Sequence, residues 1–100
     1  MGVLVSEEAQ EDVIAIWDRI SEDNPGAADA FIDHIDARFE MLARNPHAGR
    51  QRDELGDGIR SLVLGDYVIF YRITTPDVTI MRVVHGARDI PTLFDPSSRN

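Results

Sequence analysis

The run Tyr67-Val68-Ile69-Phe70-Tyr71-Arg72-Ile73 is the segment that most limits what this chain can become. Threaded as a β-strand it places Tyr67, Ile69, Tyr71 and Ile73 on one side and Val68, Phe70 and Arg72 on the other. Both sides are largely apolar, so one must pack against another layer and the other also needs cover. Two more runs rich in β-branched residues flank it, residues 59–64 and 78–85, across Gly65-Asp66 and Thr74-Thr75-Pro76-Asp77. Short runs broken by such turn residues read as an antiparallel meander.

The first layer of cover lies N-terminal. Val3-Leu4-Val5 reads as a short strand, and Ser6 follows as a helix N-cap with Glu7 and Glu8 in the first turn. Apolar residues then recur at Ala9, Val13, Ile16, Trp17 and Ile20, the spacing of an amphipathic helix. Asp23 or Asn24 can cap a second helix with Pro25 in its first turn, burying Ala28, Phe31, Ile32, Ile35, Phe39 and Leu42. Together they form an antiparallel helical hairpin with acidic outer faces. Asn45-Pro46 ends it. Residues 45–58 read as a polar surface loop. Leu93 and Phe94 are placed to lie across the second face of the meander, and residues 95–100 read as a frayed tail. The expected fold is α+β: an N-terminal strand, a helical hairpin and a three-stranded meander in one sheet, as a single domain over residues 1–100.

The charge narrows the possible partners. At −8, the chain is poorly suited to direct nucleic-acid binding, which needs cations to replace counterions on phosphate. The imbalance is local: residues 1–58 hold fourteen acids and five arginines, whereas residues 59–100 hold four and five. All ten basic residues are arginine, so no mechanism that needs a lysine is open to it. The lack of cysteine excludes disulfides and thiolate metal sites and suits a cytoplasmic location. No run has the length of a membrane span, and the acidic N-terminus is unlike a signal peptide.

Candidate chemistry is sparse. Arg60, Arg72 and Arg82 each interrupt an apolar strand face, and an unpaired buried guanidinium is costly. Either they converge on a groove for an anionic or carbonyl-rich partner, or each pairs with a local carboxylate or lies at a sheet edge. His85, at a strand end, suits a general base, a substrate-orienting group or a structural hydrogen bond. His34 lacks a conventional ligand spacing to His47 or His85, so neither metal nor cofactor is expected. There is no G-x-S-x-G, Walker or dinucleotide glycine pattern.

Several blocks in order resemble the RelE/ParE toxin superfamily: Asn45-Pro46 with Gly49-Arg50, Gly58-Ile59-Arg60-Ser61-Leu62, Tyr67 to Arg72, and Arg82-Val83-Val84-His85-Gly86-Ala87-Arg88-Asp89. The likeness spans about residues 3 to 94. It implies one of two activities. RelE-like members cut messenger RNA in the ribosome with basic side chains and usually a C-terminal tyrosine; ParE-like members inhibit DNA gyrase. Both are neutralised by an antitoxin whose C-terminal segment wraps the toxin.

The ribonuclease residues carry over poorly. Val68 stands where the arginine after the strand tyrosine is expected, and Phe94 falls at or near the catalytic tyrosine. The segment around Ile59, Arg60 and Ser61 replaces the lysines before the middle strand, and only Arg88 keeps a plausible counterpart. Metal-free RNA cleavage needs several groups to move protons and hold the phosphate. The resemblance therefore implies a ParE-like toxin that acts by binding, with gyrase as target and a ParD-like ribbon-helix-helix antitoxin in a hetero-oligomer. A ribosome-dependent endonuclease using Arg60, Arg82, His85 and Arg88, or a non-toxic antitoxin-binding module, remain the alternatives. Arg60, Arg72, Arg82, His85 and Arg88 are the candidate contacts for target or partner, and Ile16, Trp17, Phe31, Ile35 and Phe94 those for an antitoxin groove.

Overall fold

A computed structural model describes residues 2–86 and 90–94 of the chain. Strand β1 (Val3–Val5) leads into helices α1 (Glu7–Asp23) and α2 (Pro25–Arg44). Then follow β2 (Arg50–Gln51), β3 (Ile59–Leu64), β4 (Tyr67–Thr74), β5 (Asp77–His85) and a single turn, α3 (Ile90–Leu93). The five strands form one sheet in the order β1-β5-β4-β3-β2. All neighbours are antiparallel except β1 and β5.

The helices begin and end where their capping residues direct. Ser6 Oγ accepts from the Ala9 amide at 3.0 Å while donating to the Met81 carbonyl at 2.9 Å, so the cap also ties α1 to β5. Asn24 is the one residue between the two helices. Its amide donates to the Ile20 carbonyl, closing α1, and its side chain accepts from the Ala27 amide, opening α2.

The middle strand is covered on both sides, as its composition demands. On the helical side Ile69, Tyr71, Val78, Ile80 and Val83 pack with Ala9, Ile16, Phe31, Ile35 and Leu42. On the other side Phe70 packs with Leu55, Ile59 and Val84, and Leu93 and Phe94 lie against them. Full burial of side chains of this size contributes about 1.5–3 kcal/mol each.

Two features differ from the expectation. The sheet has five strands rather than four, because the segment read as a loop contains β2; β1 joins the sheet as expected, in parallel with β5. That segment also sends Leu55, 8% exposed, into the second core. A two-residue strand and a lone leucine carry no periodicity to read. Trp17, assigned to the buried stripe, is 37% exposed at the margin of α1. The expected tail and residues 87–89 lie outside the described residues.

One contact joins the end of the helical hairpin to the sheet. The Tyr71 ring is fully buried; its hydroxyl donates to the Pro46 carbonyl at 2.8 Å and accepts from the Gly49 amide at 2.7 Å. A Cβ at position 49 would stand 2.5 Å from that hydroxyl and 2.8 Å from the Ser61 carbonyl oxygen, so glycine is required there for space. Gly49→Ala should cost on the order of 2–3 kcal/mol in urea unfolding, since backbone must move to admit a methyl group. Burial raises the Tyr71 phenol above its ordinary value, with the Gly49 hydrogen bond opposing the shift. Its contribution is therefore complete below about pH 10, the unfolded value, and is lost as pH rises through the higher folded one. Tyr71→Phe should flatten this alkaline loss in a stability–pH profile.

Candidate interaction face

The register decides which strand arginines can act together. Residues paired across strands share a face. Arg60 pairs with Tyr71 and so stands on the helical side. Arg72 pairs with Ile59, and Arg82 with Phe70, which places both on the opposite side. The three do not line one groove.

Each of them also has a partner within the chain. Arg60 Nη1 donates to the Gly49 carbonyl at 2.9 Å, and Arg72 Nε to the Asp57 carbonyl at 3.0 Å. Arg82 forms a two-pronged pair with Asp12, Nε to Oδ2 at 2.7 Å and Nη2 to Oδ1 at 3.0 Å. That hydrogen bond raises the guanidinium further above its ordinary value. Asp12 Oδ2 additionally accepts from the Val83 amide at 3.0 Å. Of the two readings open for these arginines, internal pairing describes Arg82; Arg60 and Arg72 instead bind carbonyls of nearby turns.

His85 closes an aromatic row. Its ring meets Tyr67 edge-on with centroids 5.6 Å apart, and Tyr67 meets Phe31 at 5.4 Å. Arg19 Nη2 lies 3.4 Å from the Tyr67 hydroxyl. Arg88 falls outside the described residues.

The face opposite the helices is the more open one. Phe94 stands edge-on to Phe70 at 5.1 Å, and Met81, Val68, Leu93 and Ile90 complete the apolar floor. Val63, at the far end of β3, is 63% exposed. Arg52 extends over the Phe70 ring, 5.9 Å from its centroid, and bonds Glu54 at 2.8 Å. That bond holds the Glu54 carboxyl below the usual carboxylate range. Sequence reasoning passed over Arg52 because it lies in a polar stretch with no strand pattern. Its proximity to Arg50 and Gly49 was the only signal. An apolar floor bordered by Arg52, Arg72 and Arg82 suits an apolar segment with carboxylates or carbonyls at its margins.

Of the groove candidates, Ile16, Phe31 and Ile35 are 5%, 8% and 2% exposed, so in the isolated chain they are core residues. Trp17 and Phe94 keep accessible surface. Among the described residues, no group of three or more histidines and carboxylates could hold a metal ion, and no helix is long and apolar enough to cross a membrane.

The family described as ParE toxin of type II toxin–antitoxin system, parDE, matches residues 3–90. The curated toxin ParE1 of Mycobacterium tuberculosis is 32% identical over 90 residues, covering 87% of this chain and 91% of that one. Among solved structures, a chromosomal ParDE toxin–antitoxin system from P. aeruginosa superposes with a TM-score of 0.71 at 23% identity, over 85% of this chain and 95% of that one. The toxin–antitoxin complex RelBE2 from Mycobacterium tuberculosis gives 0.57 at 28% identity, over 84% and 95%.

The Asp12–Arg82 pair gives a direct test of the edge it holds. Its side chains are 13% and 18% exposed, so removing one partner leaves a largely desolvated charge. Asp12→Ala should lower the unfolding free energy by about 2–4 kcal/mol. Asp12→Asn, which keeps an acceptor for the Val83 amide, should cost less in the same denaturant titration.

Proposed function

Because the chain belongs to the ParE toxin family of type II toxin–antitoxin systems, we propose that it arrests growth by binding DNA gyrase and that a cognate ParD-like antitoxin with a ribbon-helix-helix domain neutralises it. The toxin acts as a binding protein in the cytoplasm, without cofactor and without direct contact to nucleic acid. The observation that carries this reading is the chemistry of the sheet. By the family resemblance Val68 stands where the ribonuclease branch needs a cation and Phe94 falls at or near its ionisable hydroxyl, and Arg60, Arg72 and Arg82 are engaged by the chain itself. A net charge of −8 further disfavours an RNA phosphate as ligand.

The antitoxin's C-terminal segment covers the apolar floor around Phe70 and Phe94, with acidic or carbonyl groups toward Arg52 and Arg72. Coupled folding of such a segment buries a large apolar surface and leaves a negative heat-capacity change as its mark.

Expression without the antitoxin should stop growth, and the purified protein should inhibit gyrase supercoiling over the same concentration range. Messenger RNA should remain intact in primer-extension mapping. Ribosome-dependent cuts would replace this reading with the ribonuclease one, and growth arrest with untouched supercoiling would remove gyrase as target. Phe70→Ala is too deep in the core for a clean test. Val63→Asp and Arg52→Ala, nearer the surface, should weaken antitoxin binding by about ten-fold or more in calorimetry while leaving the fold intact.

A further inference from the structure

Helix α1 carries one arginine, Arg19, among seven acids. Glu22 and Asp23 stand three and four residues further along it, the spacing at which an arginine meets a carboxylate. Asp12, two turns back on the same face, is already held by Arg82 and the Val83 amide. Among the described residues Arg19 forms no ion pair. Its guanidinium leans across to the sheet instead, where Nη2 lies 3.4 Å from the Tyr67 hydroxyl. That oxygen accepts, so its own proton stays available for a further acceptor.

Arg19 also borders a cavity of about 240 Å³ between α1 and the end of β5. Ile16, Val83 and Val84 give it an aliphatic wall. His85, whose ring rests edge-on against Tyr67, shares the border with Arg19. Asp12 lines it too, with its charge matched by Arg82. The volume equals that of about eight water molecules, so an acid of a few carbons fits whole. A phosphate dianion suits the site less, because its second charge would meet aliphatic walls and an acidic helix. Arg38 likewise forms no ion pair among the described residues, but it borders a different groove, of about 590 Å³ along α2, which Asp66 also lines.

We infer that the cavity between α1 and the end of β5 binds a short aliphatic monocarboxylate. Its carboxylate lies on Arg19 and the Tyr67 hydroxyl, and its hydrocarbon lies against Ile16, Val83 and Val84. The site shares only Val84 with the apolar floor around Phe70 and Phe94, and it does not depend on the toxin reading. A bound acid joins α1 to β5 beyond the Asp12 contact, so binding also stabilises the folded chain.

Isovalerate is the probe, with isovaleramide, isoamylamine and acetate beside it. In a methyl-resolved NMR titration of the whole chain, isovalerate should shift Ile16, Val83 and Val84 and should raise Tm as its concentration rises. The amide and the amine lack the charge, and acetate leaves the aliphatic wall uncovered, so each should bind at least about ten-fold more weakly. Arg19→Gln, at an exposed position, should weaken isovalerate about ten-fold, and Tyr67→Phe, which keeps the ring contacts, about three-fold. Arg38→Gln should leave its affinity unchanged. Equal binding of isovaleramide, an unaffected Arg19→Gln variant, or shifts centred on Ala30 and Ala37 would overturn the inference. So would a loss in Arg38→Gln as large as in Arg19→Gln, which marks attraction to charge in general.

Discussion

The Asp12 carboxylate is the group on which the arrangement of the two layers depends. Strand β1 accompanies β5 only as far as Val5, and beyond it the edge of β5 would face the helical layer with unmet backbone groups. Ser6 takes the Ile80 and Met81 carbonyls, and Asp12 takes the Val83 amide while holding Arg82. Helix α1 thus substitutes for a strand along the second half of β5. A carboxylate is well suited to this task, because its two oxygens serve a backbone amide and a guanidinium together. With α1 fixed, Asn24 sets α2 against it, and the first core follows.

The second face shows the opposite economy. It is covered by a single helical turn and by Leu55 from the 45–58 segment, so Phe70 is buried while Val63 remains wet. Such unequal layers bury one side of the sheet more completely than the other. Tyr71 and Phe70, adjacent in sequence and both fully buried, divide the labour: one hydroxyl anchors the chain after α2, and one ring makes the floor of the open side.

Much of this was legible from residue order. The helical periodicities, the caps at Ser6 and Asn24, the three long strands and the two-sided middle strand all depend on neighbours within a turn or two. What escaped depends on distance along the chain. Asp12 looks like one more acid on a solvated face until Arg82, 70 residues away, is folded onto it. The parallel pairing of β1 and the role of Gly49 under Tyr71 are equally long-range. The strand arginines were visible as anomalies, but only the register reveals that Arg60 stands on one face and Arg72 and Arg82 on the other. Among the apolar groove candidates, Ile16 and Ile35 have the spacing of a docking face and pack against the chain's own sheet.

The uneven distribution of acids has an outcome of its own. Residues 7–44, the helical hairpin, contain eleven acids and three arginines, while everything outside it balances at seven and seven. The entire net charge of −8 therefore resides in one layer, with a neutral sheet beneath it. A molecule polarised in this way turns as it drifts. Near a negatively charged body it presents the sheet; near a basic chain it presents the helices. Dissolved salt shortens the reach of that torque to about a nanometre at physiological strength. Encounter orientation is thus set before any side chain touches.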